Sequence, residues 1–165
     1  MIITIARKYG SGGREIGRRL ARELDIPFYN VDTLPTGSDD GWQEQILQLA
    51  AKGPCVMVGF CADHLLAGRE GVMRVFIHCD MAQRLQRIME ENGLSREEAQ
   101  REALFQDRER SRLYGFYTGE KWANLDRYDL TINSSLLGTA GTVDLLRQFV
   151  ALNVMRKRRG LYEER

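Results

Sequence analysis

A glycine-rich turn that follows the first apolar run constrains the fold of this chain more than any other stretch. Residues 1–6 are rich in β-branched side chains, which is typical of a buried parallel strand. After the glycines the sequence takes up a helical period, with Ile16, Leu20 and Leu24 on one face. This order predicts an anion site, because glycine lets the backbone approach closely and a helix N-terminus presents unpaired N–H groups.

The turn does not satisfy either of the two usual glycine patterns. Against G-x-x-x-x-G-K-[S/T], Lys8 stands at the first glycine, Arg14 replaces the lysine and Glu15 replaces the hydroxyl residue. The dinucleotide pattern G-x-G-x-x-G, begun at Gly10, would require glycine at position 15. The alternative is an ordinary glycine-rich turn before a positively charged helix. The residues of this stretch leave both readings open.

Composition favours one globular domain that spans residues 1–165. Hydrophobic residues make up 43% of the chain and charged residues 28%, and the formal net charge is +1, so no overall field favours nucleic acid or a membrane as a partner. No stretch has the length of a signal peptide or a membrane span. The cysteines lack metal-ligand spacing and predict buried thiols in a reducing cytoplasm; they are Cys55, Cys61 and Cys79. We therefore expect a cytoplasmic protein.

Strand-like and helix-like stretches alternate along the chain, which predicts a parallel three-layer α/β sheet. After the first strand and helix come a short strand ending at Asn30, a loop over residues 31–40, a helix over 41–52, and strands over 55–58, 72–78 and 130–132. Two S/T/D-x-x-E/Q patterns predict helix starts, at Asp80 with Gln83 and at Ser95 with Glu98. Gly93 is a predicted C-cap.

The last two helical stretches differ in character. The second capping pattern opens a long charged segment to Tyr117, which Gly115 and Gly119 are expected to break up. The last helix is predicted to start near Thr139.

Four stretches, in order, resemble the cytidylate kinase-like family of bacterial P-loop proteins. They are residues 3–18 with the loop Y-G-S-G-G-R-E-I-G-R, residues 58–63 (V-G-F-C-A-D), residues 117–122 (Y-T-G-E-K-W) and residues 128–138 (Y-D-L-T-I-N-S-S-L-L-G). The Arg–Glu version of the loop is the usual one in that family. The resemblance implies a three-layer P-loop NTPase fold with a five-stranded parallel sheet of order 2-3-1-4-5. It also implies a nucleoside monophosphate kinase-like phosphotransferase that uses ATP and Mg²⁺.

The resemblance assigns the donor side of the site to the loop and to a lid at about residues 107–122. The residues that would cradle the donor phosphates are Gly10, Ser11, Gly12, Gly13, Glu15 and Ile16. Arg14 would span the β- and γ-phosphates, and Arg108, Arg110 and Arg112 would neutralise charge in the transition state. The alternative for the lid segment is a solvent-exposed helix face without a binding role, stabilised by ion pairs within the helix such as Asp107–Arg110 and Glu109–Arg112.

The acceptor side departs from the family pattern. Asp63 matches an acceptor contact, but Phe60 stands where the family has arginine, so Asp63 as a helix N-cap is an equal alternative. Residues 31–40 replace a long helical insertion that embraces the acceptor in relatives. We expect a nucleotide or a small phosphorylated substrate, with a homodimer as one way to replace the missing arm. The other hypothesis is a non-catalytic nucleotide- or anion-binding relative with a degenerate acceptor site.

Overall fold

Five parallel strands form one sheet in the computed structural model, which describes residues 1–33, 41–59 and 61–158. The strands are β1 (Ile2–Arg7), β2 (Phe28–Asn30), β3 (Cys55–Val58), β4 (Val72–His78) and β5 (Leu130–Asn133). Their order is β2-β3-β1-β4-β5, with every pairing parallel. This order confirms the α/β fold and the strand arrangement that the resemblance implied, and it puts the strand before the glycine turn at the centre.

Helices cover both faces of the sheet. They are α1 (Gly13–Glu23), α2 (Gly41–Ala51), α3 (Ala62–Leu65), α4 (Met81–Asn92), α5 (Arg96–Thr118) and α6 (Ser134–Arg158). Alternate residues of β1 point to opposite faces, as the strand period requires. Ile3 and Ile5 pack with Leu20 of α1 and Leu146 of α6. On the other face, Met57 packs with Trp42 and Ile46 of α2 and with Tyr114 of α5. Three layers result.

Three local predictions differ from the structure. Asp80 precedes α4, but its side chain accepts a hydrogen bond from Asn133 Nδ2 at 3.0 Å instead of capping the helix. Gly115 lies inside α5, which runs unbroken until Gly119 ends it with a φ of 70°. The last helical stretch begins at Ser134 and kinks at Gly138, where φ is 64°, so the predicted start near Thr139 marks only its straight part.

Other local predictions are confirmed. Ser95 and Glu98 form the expected capping box, and Gly93 is the αL C-cap of α4. The three cysteines are buried free thiols. Within residues 1–33, 41–59 and 61–158, none of the helices combines the length and apolarity that a membrane span needs.

Candidate phosphate-binding loop and adjoining cleft

The glycine turn lies at the carboxyl end of β1 and leads directly into α1. Gly12 precedes α1 with a φ of 80°, a conformation that suits glycine. The N–H of Ile16 is already engaged, since it donates to the Gly12 carbonyl at 2.9 Å. In the part of the chain that the structure describes, the N–H groups of Gly13, Arg14 and Glu15 have no acceptor. Three unpaired donors at a positive helix end are the arrangement that anion binding requires.

The two charged residues of the loop face outward from the start of α1. Glu15 accepts hydrogen bonds from Arg18 and from Arg19 Nε, the latter at 2.6 Å, and the bonds from Arg19 and Arg18 hold the pKa of Glu15 below its usual range. The Arg14 side chain is exposed and has no acidic partner among the described residues. Arg14 is therefore the loop cation that remains available to a bound anion.

Ser11 lies on the buried side of the same loop. Its residue surface is fully buried, and its carbonyl accepts from Ser134 Oγ at 2.9 Å. Ser11 Oγ has no hydrogen-bond partner within the described ranges. This hydrogen bond from Ser134 to the loop ties the start of α6 to the glycine turn.

Two arginines of α4 hold the loop, and the sequence interpretation did not identify either of them. Arg84 Nε donates to the Tyr9 carbonyl at 2.6 Å, and Arg87 NH1 donates to the Gly10 carbonyl at 2.6 Å. A Cβ on Gly12 would lie 3.0 Å from Arg87 Cζ, so the guanidinium packs directly over that glycine. The available signal was their spacing of three residues, which puts both on one face of a helix that starts beside the loop.

Asp107 of α5 completes the support of the loop. Its Oδ1 accepts the Tyr9 N–H at 2.9 Å and its Oδ2 accepts Arg84 NH2 at 2.6 Å. Lys8 Nζ lies 3.8 Å from the same Oδ2. The Asp107–Arg110 pair that the sequence offered as an alternative is therefore wrong, because Asp107 bonds to Arg84 and to the loop.

Of the three lid arginines that the sequence singled out, only Arg110 points into the protein. Arg110 NH1 donates to the Arg7 carbonyl at 2.8 Å, and its guanidinium lies 5.6 Å from the centre of the Tyr9 ring. Arg112 is exposed and pairs with Glu109 at 2.9 Å, as expected if this segment is a solvent-exposed helix without a binding role. Arg108 is also exposed. The structure therefore brings Arg110 to the loop and leaves Arg108 and Arg112 at the surface.

The half-buried Arg110 shares one carboxylate with the buried Arg7. Arg7 forms an ion pair with Asp32, and Arg110 NH2 lies 3.9 Å from the same Asp32 oxygen. Burial, followed by repulsion from Arg7, lowers the pKa of Arg110 to about 10, so Arg110 stays charged at neutral pH. Neither Arg7 nor Asp32 was identified from the sequence; a charged residue at the end of a buried strand was the available signal.

Asp63 lies at the inner end of the cleft beside these groups. It is 3% exposed, and Tyr114 of α5 donates to its Oδ2 at 2.9 Å. Burial raises the pKa of Asp63, although the hydrogen bond from Tyr114 opposes the change. The N-cap alternative is wrong, because Cys61, in an αL conformation, precedes α3. Phe60 and residues 34–40, on which the other acceptor predictions fall, lie outside the described residues.

The chain is similar to known proteins over most of its length. The profile of the cytidylate kinase-like family matches residues 2–41 and 39–136. The chain belongs to the cytidylate kinase-like family. Its sequence is 26% identical over 138 residues to the cytidylate kinase of Methanosarcina mazei, a match that covers 81% of this chain and 77% of that protein. It is 24% identical over 161 residues to the cytidylate kinase of Ignicoccus hospitalis, covering 89% and 91%.

The fold of this family member is also similar to those of several solved structures. An uncharacterized protein from Eubacterium ventriosum superposes with a TM-score of 0.82 at 23% identity and covers 92% of this chain and 98% of its own. Shikimate kinase from Bacteroides thetaiotaomicron gives a TM-score of 0.59 at 14% identity, covering 92% and 98%. A gluconokinase from Sinorhizobium meliloti gives 0.55 at 19%, covering 97% and 94%. The fold is thus that of P-loop kinases.

Proposed function

We propose that this member of the cytidylate kinase-like family is a phosphotransferase that uses ATP and Mg²⁺. One observation carries the proposal: the unpaired N–H groups of α1 and the cleft that contains Arg7, Arg110 and Asp32 lie at the same edge of the sheet. Arg110 joins the two, since it contacts both the end of β1 and the Tyr9 ring. Ligands of parallel α/β sheets bind at this edge, outside the carboxyl ends of the strands.

The loop fits the triphosphate of ATP. The three N–H donors at the start of α1 would bind phosphate oxygens, and Gly10, Ser11, Gly12 and Ile16 would shape the backbone around them. Arg14 is exposed at the same helix end and would contact the β- and γ-phosphates. Arg87 would hold the loop in its binding shape through the Gly10 carbonyl.

Magnesium fits the site through phosphate and water more than through protein ligands. The described residues contain no group of three His, Cys, Asp or Glu side chains able to hold a metal ion. Mg²⁺ in kinases keeps several waters and takes one or two carboxylates with the substrate phosphates. Asp32 is more exposed than Asp63, the other carboxylate of the cleft, and would be the one within reach of Mg²⁺. Glu15 is engaged by Arg18 and Arg19. Bound Mg²⁺ would neutralise charge on the phosphates during transfer.

The acceptor side supports a weak cytidylate kinase at most. Phe60 replaces an arginine, and residues 31–40 are too few to form an embracing arm. Asp63 is turned toward Tyr114 and buried, so it offers little surface to a nucleotide. Positioning supplies much of the rate in phosphoryl transfer. We therefore expect ATP to bind and cytidine monophosphate to be a poor acceptor.

A second candidate function is a non-catalytic nucleotide- or anion-binding protein. It is favoured by the exposed positions of Arg108 and Arg112, which leave Arg110 as the one lid arginine of the three at the cleft. In that case ATP binds and no acceptor is phosphorylated.

Calorimetry with Mg²⁺ and a non-hydrolysable ATP analogue tests the donor side. We expect binding to the wild-type chain, a loss of at least tenfold in affinity for Arg14→Ala, and no loss for the control Arg22→Ala, which removes an exposed arginine from the other end of α1. Steady-state assays with cytidine, uridine and adenosine monophosphates then separate the two functions. Absence of nucleotide binding to the wild-type chain would refute the phosphotransferase and the nucleotide-binding form of the second candidate.

A further inference from the structure

The cleft beside the loop carries more buried positive charge than its own carboxylates neutralise. The Arg7 side chain is 9% exposed and that of Arg110 is 20% exposed, and both guanidinium groups contact Asp32. The only other carboxylate among the described lining residues is Asp63, whose pKa burial raises. Lys8 Nζ lies 4.5 Å from the centre of the Trp122 ring, and its charge is partly offset by Asp107 at 3.8 Å.

The guanidinium groups of the buried Arg7 and the half-buried Arg110 share the Asp32 carboxylate, with Asp107 as the next negative charge near Arg110, and this arrangement favours a further anion. Burial of an uncompensated charge is unfavourable, and burial, followed by repulsion from Arg7, lowers the pKa of Arg110. A ligand with a carboxylate or a phosphate would remove that imbalance. Arginine is also the side chain best suited to bind such groups in a bidentate manner.

The dimensions of the cleft favour a small ligand. The described part of the cleft holds a cavity of about 20 Å³, room for roughly one water molecule, and it opens to solvent, so that the acid group of a small ligand is what would fit inside it. Its floor is fixed, since Gly59 packs against Asp32 with no room for a Cβ. Trp122 and Tyr114 form the side walls. A nucleoside monophosphate, with its base and ribose, would need the long arm that this sequence lacks.

We propose that Arg7 and Arg110 bind the acid group of the acceptor, a small hydroxylated carboxylic acid or phosphomonoester, and that Asp32 receives the acceptor hydroxyl. This inference rests on the proposed phosphotransferase function. Arg7, at the end of the central strand, thereby supplies the anion contact that Phe60 does not. The contact comes from the sheet itself and needs no arm.

The chemistry balances with ATP as the phosphoryl donor. The acceptor hydroxyl oxygen forms a bond to the γ-phosphorus, and the bond from that phosphorus to the oxygen bridging to the β-phosphate breaks. ADP leaves with the bond's electron pair. The hydroxyl proton passes to the Asp32 carboxylate and then to water. Arg110, placed between the loop and the cleft, contacts the acid group and lies beside the transferring phosphoryl group.

The test measures the binding of small acids to the nucleotide-free chain, with NMR as the readout. The chain has two tryptophans, and only Trp122 lines the cleft, whereas Trp42 is 3% exposed in α2 and serves as an internal reference. The probes are glycerate, glycerol 3-phosphate, neutral glycerol and cytidine monophosphate. We expect one or both acids to shift the Trp122 indole signal saturably, and glycerol to leave it unchanged. The two acids distinguish a carboxylate acceptor from a phosphomonoester.

Variants then assign the binding to the two arginines. Arg110→Met should weaken the affinity for the acid at least tenfold, Arg110→Lys should recover part of it, and the exposed control Arg101→Met should match wild type. Asp32→Asn is the diagnostic variant, because it removes the competing carboxylate without changing shape. It should bind the acid more tightly than wild type and lose phosphotransfer, a pair of effects that a purely structural role would not produce.

Two results would overturn the inference: glycerol shifting Trp122 as strongly as the acids, or acids binding equally well to wild type and Arg110→Met. If Arg110→Met is unfolded by circular dichroism, the Asp32→Asn result decides, and weaker acid binding in that variant refutes the proposal. Binding of the ATP analogue is measured separately by calorimetry. Its failure with intact acid binding contradicts the phosphotransferase function, and intact nucleotide binding without acid binding contradicts the acceptor site alone.

Discussion

The guanidinium of Arg84 binds the carboxylate of Asp107 at 2.6 Å and at the same time donates to the backbone of Tyr9. The two side chains are 6% and 12% exposed. They come from α4 and α5, so one buried ion pair fixes two helices and the start of the glycine loop together. The loop is preorganised by residues that would not touch the phosphates.

Removing one partner of this pair should destabilise the protein strongly. Asp107→Ala leaves Arg84 buried without its carboxylate and should lower the free energy of unfolding by about 3–5 kcal/mol. The exposed pair of Asp144 with Arg147 provides the control, and Asp144→Ala should cost about 1 kcal/mol or less. Urea denaturation measures both. Equal effects of the two variants would contradict the structural role of Asp107.

The double variant Arg84→Met/Asp107→Leu separates the charge from the packing. Replacing both partners with apolar groups should recover most of the lost stability, since no charge stays unpaired. Its affinity for nucleotide should remain reduced, because the Tyr9 backbone loses the hydrogen bonds of its N–H to Asp107 and of its carbonyl to Arg84.

Asp63 should make stability fall as the pH rises. Its pKa in the folded protein is raised by burial, so between the pKa of the unfolded chain and that higher value the folded state holds more protons. The stability contribution is complete below the unfolded pKa and is lost as the pH rises through the folded pKa. Asp63→Asn keeps an acceptor for Tyr114 and removes this loss. Thermal unfolding should show that the stability of the variant increases relative to that of wild type between pH 4 and pH 7. A difference in stability that does not change with pH would contradict a raised pKa of Asp63.

The sequence predicts the fold well because the fold depends on local patterns. The apolar run of β1, the period of α1, and the capping box at Ser95 each report on neighbouring residues, and the strand order follows from family resemblance. The Asp80 capping box fails for a tertiary reason: Asn133, 53 residues away, engages its side chain instead. Gly115 does not break α5 because a single glycine costs a helix only about 1 kcal/mol.

The site is less predictable because its charges are paired across distant elements. Arg110 and Arg7, which are in contact, are 103 residues apart in the sequence, and Arg84 and Tyr9 are 75 residues apart. Acidic and basic residues are interspersed along α5, at Asp107, Glu109, Arg110 and Arg112. Only the packing of the helix decides which of these side chains turn inward. The glycine loop was identifiable from sequence because strand, turn and helix are consecutive.

Hydrogen exchange distinguishes a hinged lid from a fixed helix. The sequence favours mobility over residues 108–121, whereas α5 is held at three points along its length by Asp107, Arg110 and Tyr114. We expect the amides of residues 107–114 to be protected in the free protein, and exchange to be faster near Gly119 and slowed there by nucleotide. Rapid exchange over residues 107–114 in the free protein would contradict the clamped arrangement.

A glycine pair tests the contact between α4 and the loop. Gly12→Ala places a Cβ 3.0 Å from Arg87 Cζ, at a φ of 80°. Gly68→Ala imposes similar strain at a φ of 74° with no atom within 4 Å of the added Cβ. Both should lose about 1–2 kcal/mol of stability from the αL conformation. Only Gly12→Ala should also weaken nucleotide binding, at least tenfold, by calorimetry. Equal nucleotide affinities in the two variants would show that Arg87 does not shape the loop.

The most direct test of the proposed function is ADP formation from ATP and Mg²⁺ as a function of the acceptor supplied. We predict turnover of roughly 1 per second or more with a small hydroxylated carboxylic acid or phosphomonoester, much slower turnover with cytidine monophosphate, and loss of activity in Arg14→Ala and Arg110→Met. Turnover of cytidine monophosphate at that rate would contradict the small-acceptor site. Nucleotide binding with no phosphorylated product from any acceptor would contradict the phosphotransferase itself.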